Sequence, residues 1–384
     1  FRDRVERIRA RVRQDPDLAR LEVIVASTHN HEGPDTLGLW GPNPVTCGAD
    51  PAYLDFEEDA VLEAITVAHA ARAPATLFAG EGPTEGLVHD SRQPIVKDET
   101  VRVLEARAAA GGAPIASILV FSSHPEAAGP KNTLLTADFP CAARHVVEGA
   151  RGSRALFLAG SIGGLLGPGP IRMRDPRTGD LAPEDSIRNA DLYGEALGRF
   201  ALRALERAEP VRDPWISYAR RPLEVPIENH LYLLAARLGV ILRRDLRNEG
   251  RPVEGPSDLG EGAVTIPTEV GRLRIGEVDW LLVPGEIYPE LVFGGVLDPP
   301  DPGADFPKAE IEPSVYGQLR GRHRMLVGMA NDEIGYIIPK RQWDEKAPFC
   351  YGRKKAPYGE VNSCGPETAP ILCEAFRELV RGKK

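Results

Sequence analysis

The sequence predicts an α/β fold with a mostly parallel or mixed sheet, flanking helices and a metal site at the carboxyl ends of strands. Three observations indicate this fold. Short, nearly continuous apolar runs are typical of strands that are covered on both faces. Segments with apolar residues at helical spacing lie between those runs, as expected when strands and helices alternate. Side chains that can bind a metal follow four of the runs.

Six apolar runs are predicted to be strands, because near-continuous runs of this length suit buried strands. They are residues 21–26, 75–78, 115–121, 155–159, 280–283 and 325–329. Helical spacing of apolar residues predicts helices over residues 2–13, 56–72, 139–149, 186–208 and 368–380. We expect residues 1–384 to form a single catalytic domain, in which residues 209–271 are a candidate insertion or subdomain with a helix near residues 231–246.

Composition limits the classes of protein that the chain can belong to. Hydrophobic residues make up 42% of the 384 residues and charged residues 27%, as in an ordinary globular protein. The net charge of −9 argues against a broad nucleic-acid-binding surface, which needs clustered lysine and arginine. No apolar run is long enough to predict a transmembrane segment. The chain begins at Phe1, inside an Arg-rich helical pattern, so we expect the natural N-terminus to lie upstream.

Histidine, glutamate and tyrosine side chains follow four of the predicted strands. His29 and His31 come after the first run, and an extended backbone would turn both side chains the same way. His124 follows the third run and Glu286 the fifth, while the sixth leads to Tyr336. Because sites in open α/β sheets gather at the carboxyl ends of strands, we expect these side chains to meet.

Two histidines and one glutamate match the ligands of a catalytic zinc ion. Such an ion binds three protein side chains and a water, whose pKa falls to about 7. His29, His124 and Glu286 would supply two nitrogens and one oxygen. A single histidine after a strand is more often structural, but three such motifs at strand ends favour a metal site. The five cysteines form no CxxC pair, so a thiolate site is not expected.

These residues stand in motifs that resemble those of the neutral/alkaline, non-lysosomal ceramidases and their bacterial relatives. The matching segments keep the order found in that family, from about residue 26 to residue 366. They are Thr28-His29-Asn30-His31-Glu32-Gly33-Pro34, Ser91-Arg92-Gln93-Pro94, His124-Pro125, Pro284-Gly285-Glu286, the segment from Asn331 to Tyr336, and Tyr358 followed by Gly365-Pro366.

The resemblance implies a zinc-dependent amide hydrolase of the ceramidase type, which cleaves an N-acyl (sphingo)lipid or a related amide by attack of a metal-activated water. It implies one Zn²⁺ per chain, and the metal ligands carried over by position are His29, His124, Glu286 and Tyr336. The catalytic residues carried over are His31, which would orient or deprotonate the water, and Arg92 and Tyr358, which would hold the developing oxyanion. The expected partner is a small-molecule amide or lipid, with peripheral membrane contact, and the family favours a secreted or periplasmic location.

The sequence departs from the family pattern at two positions near these motifs. Leu166 stands where the family has a serine once considered a nucleophile, which is compatible with a water mechanism and not with a serine mechanism. Glu333 replaces the first tyrosine of the Asn-x-Tyr segment and is a further candidate for contact with the metal.

Two other functions compete with this interpretation. Ser161 lies in Ala159-Gly160-Ser161-Ile162-Gly163, which resembles the nucleophile motif of serine hydrolases. That motif requires a helix directly after the serine, whereas glycines and prolines follow here. The second alternative is a non-catalytic, metal-bearing binding module. Ligands this far apart in the chain suit a catalytic cleft better than a closed structural site.

Overall fold

A computed structural model of the chain describes residues 1–260 and 262–382. Its helices, in chain order, are α1 (Arg2–Gln14), α2 (Pro51–Ala70), α3 (Asp138–Arg151), α4 (Ile187–Glu206), α5 (His230–Arg237), α6 (Pro289–Phe293), α7 (Val315–Gln318), α8 (Tyr358–Val361) and α9 (Thr368–Arg381). Single 3₁₀ turns cover Gly163–Leu165, Pro256–Asp258, Lys340–Gln342 and Cys350–Gly352. Within the described ranges, no helix has the length and apolar character needed to cross a membrane.

The strands range from two to twelve residues in length. In chain order they are β1 (Ala75–Pro83), β2 (His89–Asp90), β3 (Thr100–Ala108), β4 (Pro114–Phe121), β5 (Arg154–Ala159), β6 (Leu166–Gly167), β7 (Glu209–Pro210), β8 (Ile216–Pro226), β9 (Arg247–Asn248), β10 (Arg251–Pro252), β11 (Val264–Ile275), β12 (Val278–Leu282), β13 (Glu286–Ile287), β14 (His323–Val327) and β15 (Tyr336–Ile337).

Most of these strands form two mixed sheets. The first has five strands in the order β5-β4-β3-β1-β7, and only β4 and β5 run parallel. The second has six strands in the order β10-β9-β11-β12-β14, with β8 also paired to β11, and only β12 and β14 run parallel. The predicted mixed sheet with flanking helices is confirmed, and antiparallel pairs outnumber parallel ones.

The two sheets pack face to face, and helices cover their outer faces. Along β4, Leu119 and Phe121 pack with residues of α3 and α4, whereas Val120 packs with Trp280 of β12. On the far side of the second sheet, Leu281 packs against Phe376 of α9. Neighbouring residues of a strand point to opposite faces, so each central strand contributes to two cores. This explains the near-continuous apolar runs in the sequence.

The predicted strands at residues 75–78, 115–121, 155–159, 280–283 and 325–329 all overlap observed strands. The strand predicted at residues 21–26 is wrong, because this segment forms a single bridge from Ala26 to Ala330. The sequence analysis also missed β3, β8 and β11. Strand β8 is mostly exposed, whereas β3 and β11 are covered but contain charged residues, such as the buried Glu105 and Glu269, which interrupt the apolar run that the prediction relied on.

Residues 209–271 contribute to the second sheet. Strands β8 and β11 pair over eleven positions, from Ile216 opposite Ile275 to Pro226 opposite Thr265. The helix expected near residues 231–246 is shorter and ends at Arg237. Whether this region is an insertion or subdomain of a single catalytic domain stays a prediction.

A buried ion pair joins the N-terminal helix to the second sheet. Both Nη atoms of Arg9 donate to Glu269 of β11, at 2.8 and 3.2 Å, and its Nε donates to the Val23 carbonyl at 3.1 Å. Asn331 donates its Nδ2 to Glu269 at 3.0 Å and pairs with Val25 through both backbone and side chain. Through these contacts, α1 and β11 fix the segment that leads to His29.

We predict that Glu269→Ala lowers the free energy of unfolding by about 3–5 kcal/mol, because it removes the buried carboxylate that accepts from both Nη atoms of Arg9 and leaves that buried guanidinium only the partly exposed Glu6 as a charged partner. Urea denaturation followed by circular dichroism measures this loss. The control is Glu63→Ala on the exposed face of α2, which should change stability by less than about 0.5 kcal/mol. A loss below about 1 kcal/mol for Glu269→Ala would show that the pair behaves as a solvated surface pair.

Candidate metal centre

His29 and His31 reach the candidate centre through a turn. His29 has a φ of 60°, a left-handed conformation that costs a non-glycine residue roughly 1–2 kcal/mol. The extended backbone expected for the two histidines is therefore wrong. The turn is held by hydrogen bonds from the Ser27 amide to the Met329 carbonyl (3.2 Å) and from the His31 amide to the Pro125 carbonyl (3.1 Å). The two rings still lie together, with centroids 5.0 Å apart.

Left-handed backbone recurs in the loops around this turn. Leu165, Met329 and Asn331 have φ values of 61°, 47° and 65°. Such conformations persist only where surrounding contacts hold them, and they concentrate at functional sites. The strain therefore marks the same region as the histidines.

The backbone carbonyl of Leu166 orients His124. That carbonyl accepts hydrogen bonds from the His124 amide (2.9 Å) and from the ring Nδ1 (2.6 Å). A carbonyl can only accept, so Nδ1 carries a proton and Nε2 is the atom left to face the site. Nε2 lies 2.9 Å from Oε2 of Glu286. The side chain of Leu166 has no part in this contact, which therefore could not be read from the motif.

Strands β13 and β15 place Glu286 directly beside Tyr336. The two residues are opposite each other in this short parallel pair. The second carboxylate oxygen of Glu286 is 3.6 Å from Nε2 of His29. Burial alone would raise the pKa of Glu286, but His29 and His124 outweigh burial and hold it well below its ordinary value. The carboxylate is therefore ionised at neutral pH.

The three histidines form a cluster that fits a metal ion. One ring nitrogen from each of His29, His31 and His124 lies within 4.8 Å of the others. Burial and the neighbouring His124 lower the pKa of His29 to about 4, and partial burial together with repulsion from His29 and His124 lowers that of His31 to about 3. At neutral pH both rings are therefore uncharged and offer lone pairs. With the Glu286 carboxylate in contact, this donor set suits a divalent ion such as Zn²⁺.

His31 belongs to this cluster, although the sequence analysis assigned it to the water and not to the metal. Its side chain is 42% exposed, against 3% for His124, and its Nδ1 lies 3.6 Å from Oε2 of Glu126. Burial raises the pKa of Glu126, and burial together with Asp138 and Glu126 raises that of Glu32 to about 8. Glu126 was missed, although it stands directly after the His124-Pro125 motif.

Arg92 lies behind the site, in a buried ion pair. Its two Nη atoms donate to the carboxylate of Glu360 at 2.5 and 2.6 Å, and one of them also donates to the Tyr288 hydroxyl at 3.2 Å. The Tyr288 ring packs against the Tyr336 ring, with centroids 6.2 Å apart. Arg92 thus supports the wall that carries Tyr336, and its role at the oxyanion stays a prediction.

Tyr358 and Glu333 lie closer to the histidines than Arg92 does. Both line the cavity that also contains His29, His31 and His124. Tyr358 is 56% exposed, and its ring centroid lies 6.0 Å from that of Tyr336. Burial raises the pKa of Tyr358, so its hydroxyl is available as a donor. Glu333 accepts from the Gly335 amide at 2.6 Å and lies outside the histidine cluster, so its contact with a metal stays a prediction.

Ser161 is buried and has serine neighbours. Its amide donates to the Ser122 hydroxyl at 3.1 Å, and the two hydroxyl oxygens are 3.3 Å apart. Ser122 in turn donates to Asp98 at 2.8 Å. Within the described residues, no histidine is hydrogen-bonded to Ser161. The turn that follows contains Gly164 at a φ of 73°, where a nucleophile elbow would begin a helix.

An apolar cavity of about 330 Å³ opens onto the histidines. Its apolar lining residues are Phe1, Leu37, Leu39, Trp40, Leu165, Ile227, Tyr232, Ala236, Ile241, Leu246, Ile266 and Ile334. These come from six separate regions of the sequence, so the motifs alone gave no sign of the cavity. A cavity with apolar walls and a few polar groups at one end is typical of a small-molecule site.

Comparison with known proteins shows the fold. No family model matches the sequence, and no curated protein matches it. The neutral ceramidase from Pseudomonas aeruginosa is similar in structure, with a TM-score of 0.70 and 18% identity over 99% of this chain. A ceramidase structure described as complexed with C2 gives a TM-score of 0.68 at the same identity and coverage. The chain spans 65% of the length of each of these structures. The resemblance expected from the motifs is thus confirmed at the level of the fold.

We predict that the ring signals of His29 and His31 in the metal-free protein do not titrate between about pH 8 and pH 5.5, because burial and repulsion between the histidine rings hold both pKa values well below the ordinary value of about 6.5. NMR spectra over this range test this, with assignment by single His→Gln substitutions. His124 provides the internal contrast. Its contact with Glu286 outweighs burial and raises its pKa, so its signal should titrate at higher pH. A midpoint near 6.5 for His29 or His31 would contradict the burial argument.

Proposed function

We propose that the protein is a zinc-dependent, ceramidase-like amide hydrolase that cleaves an N-acyl lipid or a related amide. The observation that carries this proposal is the convergence of His29, His31, His124 and Glu286 at the wall of an apolar cavity. The fold that the chain shares with neutral ceramidase supports the same activity. Hydrolysis transfers the oxygen of water to the acyl carbon, breaks the C–N bond and delivers a proton to the leaving nitrogen.

His29, His124 and Glu286 are the proposed zinc ligands, with Tyr336 as the fourth. The positions of these side chains support the assignment. The two imidazoles face the two oxygens of Glu286, and β15 holds Tyr336 beside that carboxylate. A bound zinc ion would supply Lewis acidity, which lowers the pKa of water and polarises the amide carbonyl.

His31, supported by Glu126, is proposed to accept a proton from the attacking water and to pass it on. His31 is the most exposed of the three histidines and lines the cavity, so its Nε2 can face a water beside the substrate. Glu126 lies next to the opposite ring nitrogen and would stabilise positive charge on the ring while the proton is held there. The same proton would then pass to the nitrogen of the leaving amine.

Tyr358 is proposed to donate a hydrogen bond to the oxygen that develops negative charge. It lies at the start of α8 and lines the cavity close to Tyr336. Its raised pKa keeps the hydroxyl protonated, as a donor must be. Arg92 would act indirectly, by holding Tyr288 in place against Tyr336.

The apolar cavity is proposed to hold the acyl chain, and the rim around it to contact a lipid surface. Trp40 is 68% exposed and lines the cavity, and Leu135 is 79% exposed in the adjacent loop. A hydrogen bond from the Asn30 side chain to the Thr136 carbonyl holds that loop against the histidine turn. Exposed apolar side chains around a cavity mouth are typical of contact with lipid or another apolar surface.

We predict that His124→Ala loses the bound zinc and hydrolysis of a fluorescent N-acyl amine together, because it removes a ligand and the hydrogen-bond partner of Glu286. Zinc content by mass spectrometry and turnover are measured on the same samples. The control is His145→Ala on the exposed face of α3, which should keep one zinc per chain and full activity. Ser161→Ala should also remain active. Activity that survives loss of zinc but not Ser161→Ala would establish the serine mechanism instead.

We predict that Tyr358→Phe lowers kcat by about 10²-fold, the usual effect of losing one oxyanion donor, while KM and zinc content stay close to wild type. Steady-state kinetics on a soluble N-acyl substrate measure both constants. Tyr351→Phe, which removes another exposed tyrosine hydroxyl near Arg353, is the matched control and should leave kcat unchanged. A Tyr358→Phe variant that changes KM alone would assign the residue to substrate binding.

A further inference from the structure

A second cavity, of about 390 Å³, adjoins the histidine cluster. His31 and Glu126 line both cavities, so the two share a wall at the proposed reaction centre. The walls of the second cavity are polar and acidic, in contrast to those of the first. Its lining carboxylates are Glu32, Glu126, Glu184 and Asp185.

Few positive charges balance these carboxylates. Arg172 also lines the cavity, but its guanidinium donates to the backbone carbonyls of Ala182 and Leu181, at 2.8 and 3.4 Å. Lys131 pairs with Asp185 at 3.3 Å. Among the described residues, neither Glu32 nor Glu184 has a lysine or arginine within ion-pair distance.

The carboxyl group of Glu32 has a free acceptor inside the protein. The residue is only 9% exposed, and its Oε2 has no hydrogen-bond partner among the described residues. A buried acceptor without a donor destabilises the folded chain, so such groups normally have a partner. A bound molecule with N–H donors would supply one, and its positive charge would favour the ionised form of Glu32, which burial disfavours in the free protein.

The shape of the site points to an organic cation and not to a second metal ion. Within the described stretches of the chain, the three histidines are the one group of candidate ligand residues whose atoms lie within 4.8 Å of one another. The four carboxylates of the second cavity do not converge on one point in this way. They are spread along a space large enough for a short chain with several N–H groups.

We propose that the second cavity binds the amine portion of the substrate, and that the substrate is an N-acyl amine with one long apolar acyl chain and a short, positively charged amine segment. This inference rests on the proposed function for the acyl side of the site. A lipid with two apolar chains would need apolar walls on both sides of the reacting amide, whereas here one side is acidic. After hydrolysis, the released amine would lie among Glu32, Glu126 and Glu184.

Binding of two uncleavable amide analogues tests the proposal without turnover. The probes are N-(4-aminobutyl)dodecanesulfonamide, which ends in an ammonium group, and N-(4-hydroxybutyl)dodecanesulfonamide, which ends in a neutral hydroxyl. Isothermal titration calorimetry measures both Kd values with the zinc-loaded wild type, with Glu32→Gln, with Glu184→Gln and with the double variant. Glu63→Gln on α2 is the charge-matched control.

Wild type and Glu63→Gln should bind the ammonium probe at least about 10-fold more tightly than the hydroxyl probe, and the double variant should reduce this ratio to about 2 or less. Because Glu184 is exposed, its single variant gives an answer even if Glu32→Gln fails to fold. Equal binding of the two probes by wild type, or a ratio unchanged in the double variant, would overturn the proposal. A clear preference in a protein that hydrolyses no amide would support the cation site and refute the amidase activity, so the two failures are distinguishable.

Discussion

The Glu286 carboxylate is the point on which the geometry of the site depends. It is ionised and buried, and the polar side chains that surround it come from distant regions of the chain. His29 precedes the first sheet in the chain, His124 leaves that sheet, and Tyr336 follows the last strand of the second. One carboxylate is therefore surrounded by residues that precede or follow strands of both sheets. The Arg9–Glu269 pair has a similar role in the neighbouring layer, because it fixes the segment that carries His29.

The sequence predicted the mixed α/β fold and the residue types that meet in the candidate metal centre, since both depend on local features. Continuous apolar runs revealed the strands that serve two cores, and motifs after those runs marked His124 and Glu286. The failures have two physical causes. The run at residues 21–26 is apolar because it packs against α1 and α2, and its backbone bonds with Arg9 and Asn331 in place of a neighbouring strand. Strand β8 has one buried residue, so its pattern shows no buried run.

The contacts that sequence motifs omit are those made by backbone or by non-local packing. Leu166 orients His124 through a carbonyl that every residue possesses, so no residue type could signal it. A sequence motif identified Arg92, but it could not predict the ion pair with Glu360, because the two residues are 268 positions apart in the chain. The apolar lining of the cavity comes from six regions of the chain. Chemistry that depends on residue type is thus readable from sequence, whereas orientation and enclosure require the folded chain.

The left-handed turn at His29 limits how far this protein could be stabilised by engineering. Glycine would relieve the strain at a φ of 60°, but glycine has no imidazole. The same conflict does not arise at Leu165, whose backbone could be relaxed without removing a donor atom. A search for thermostable variants should therefore enrich substitutions in the surrounding loops and leave position 29 unchanged. In this chain, stability and activity would conflict most directly at His29, where the strained backbone and the imidazole belong to the same residue.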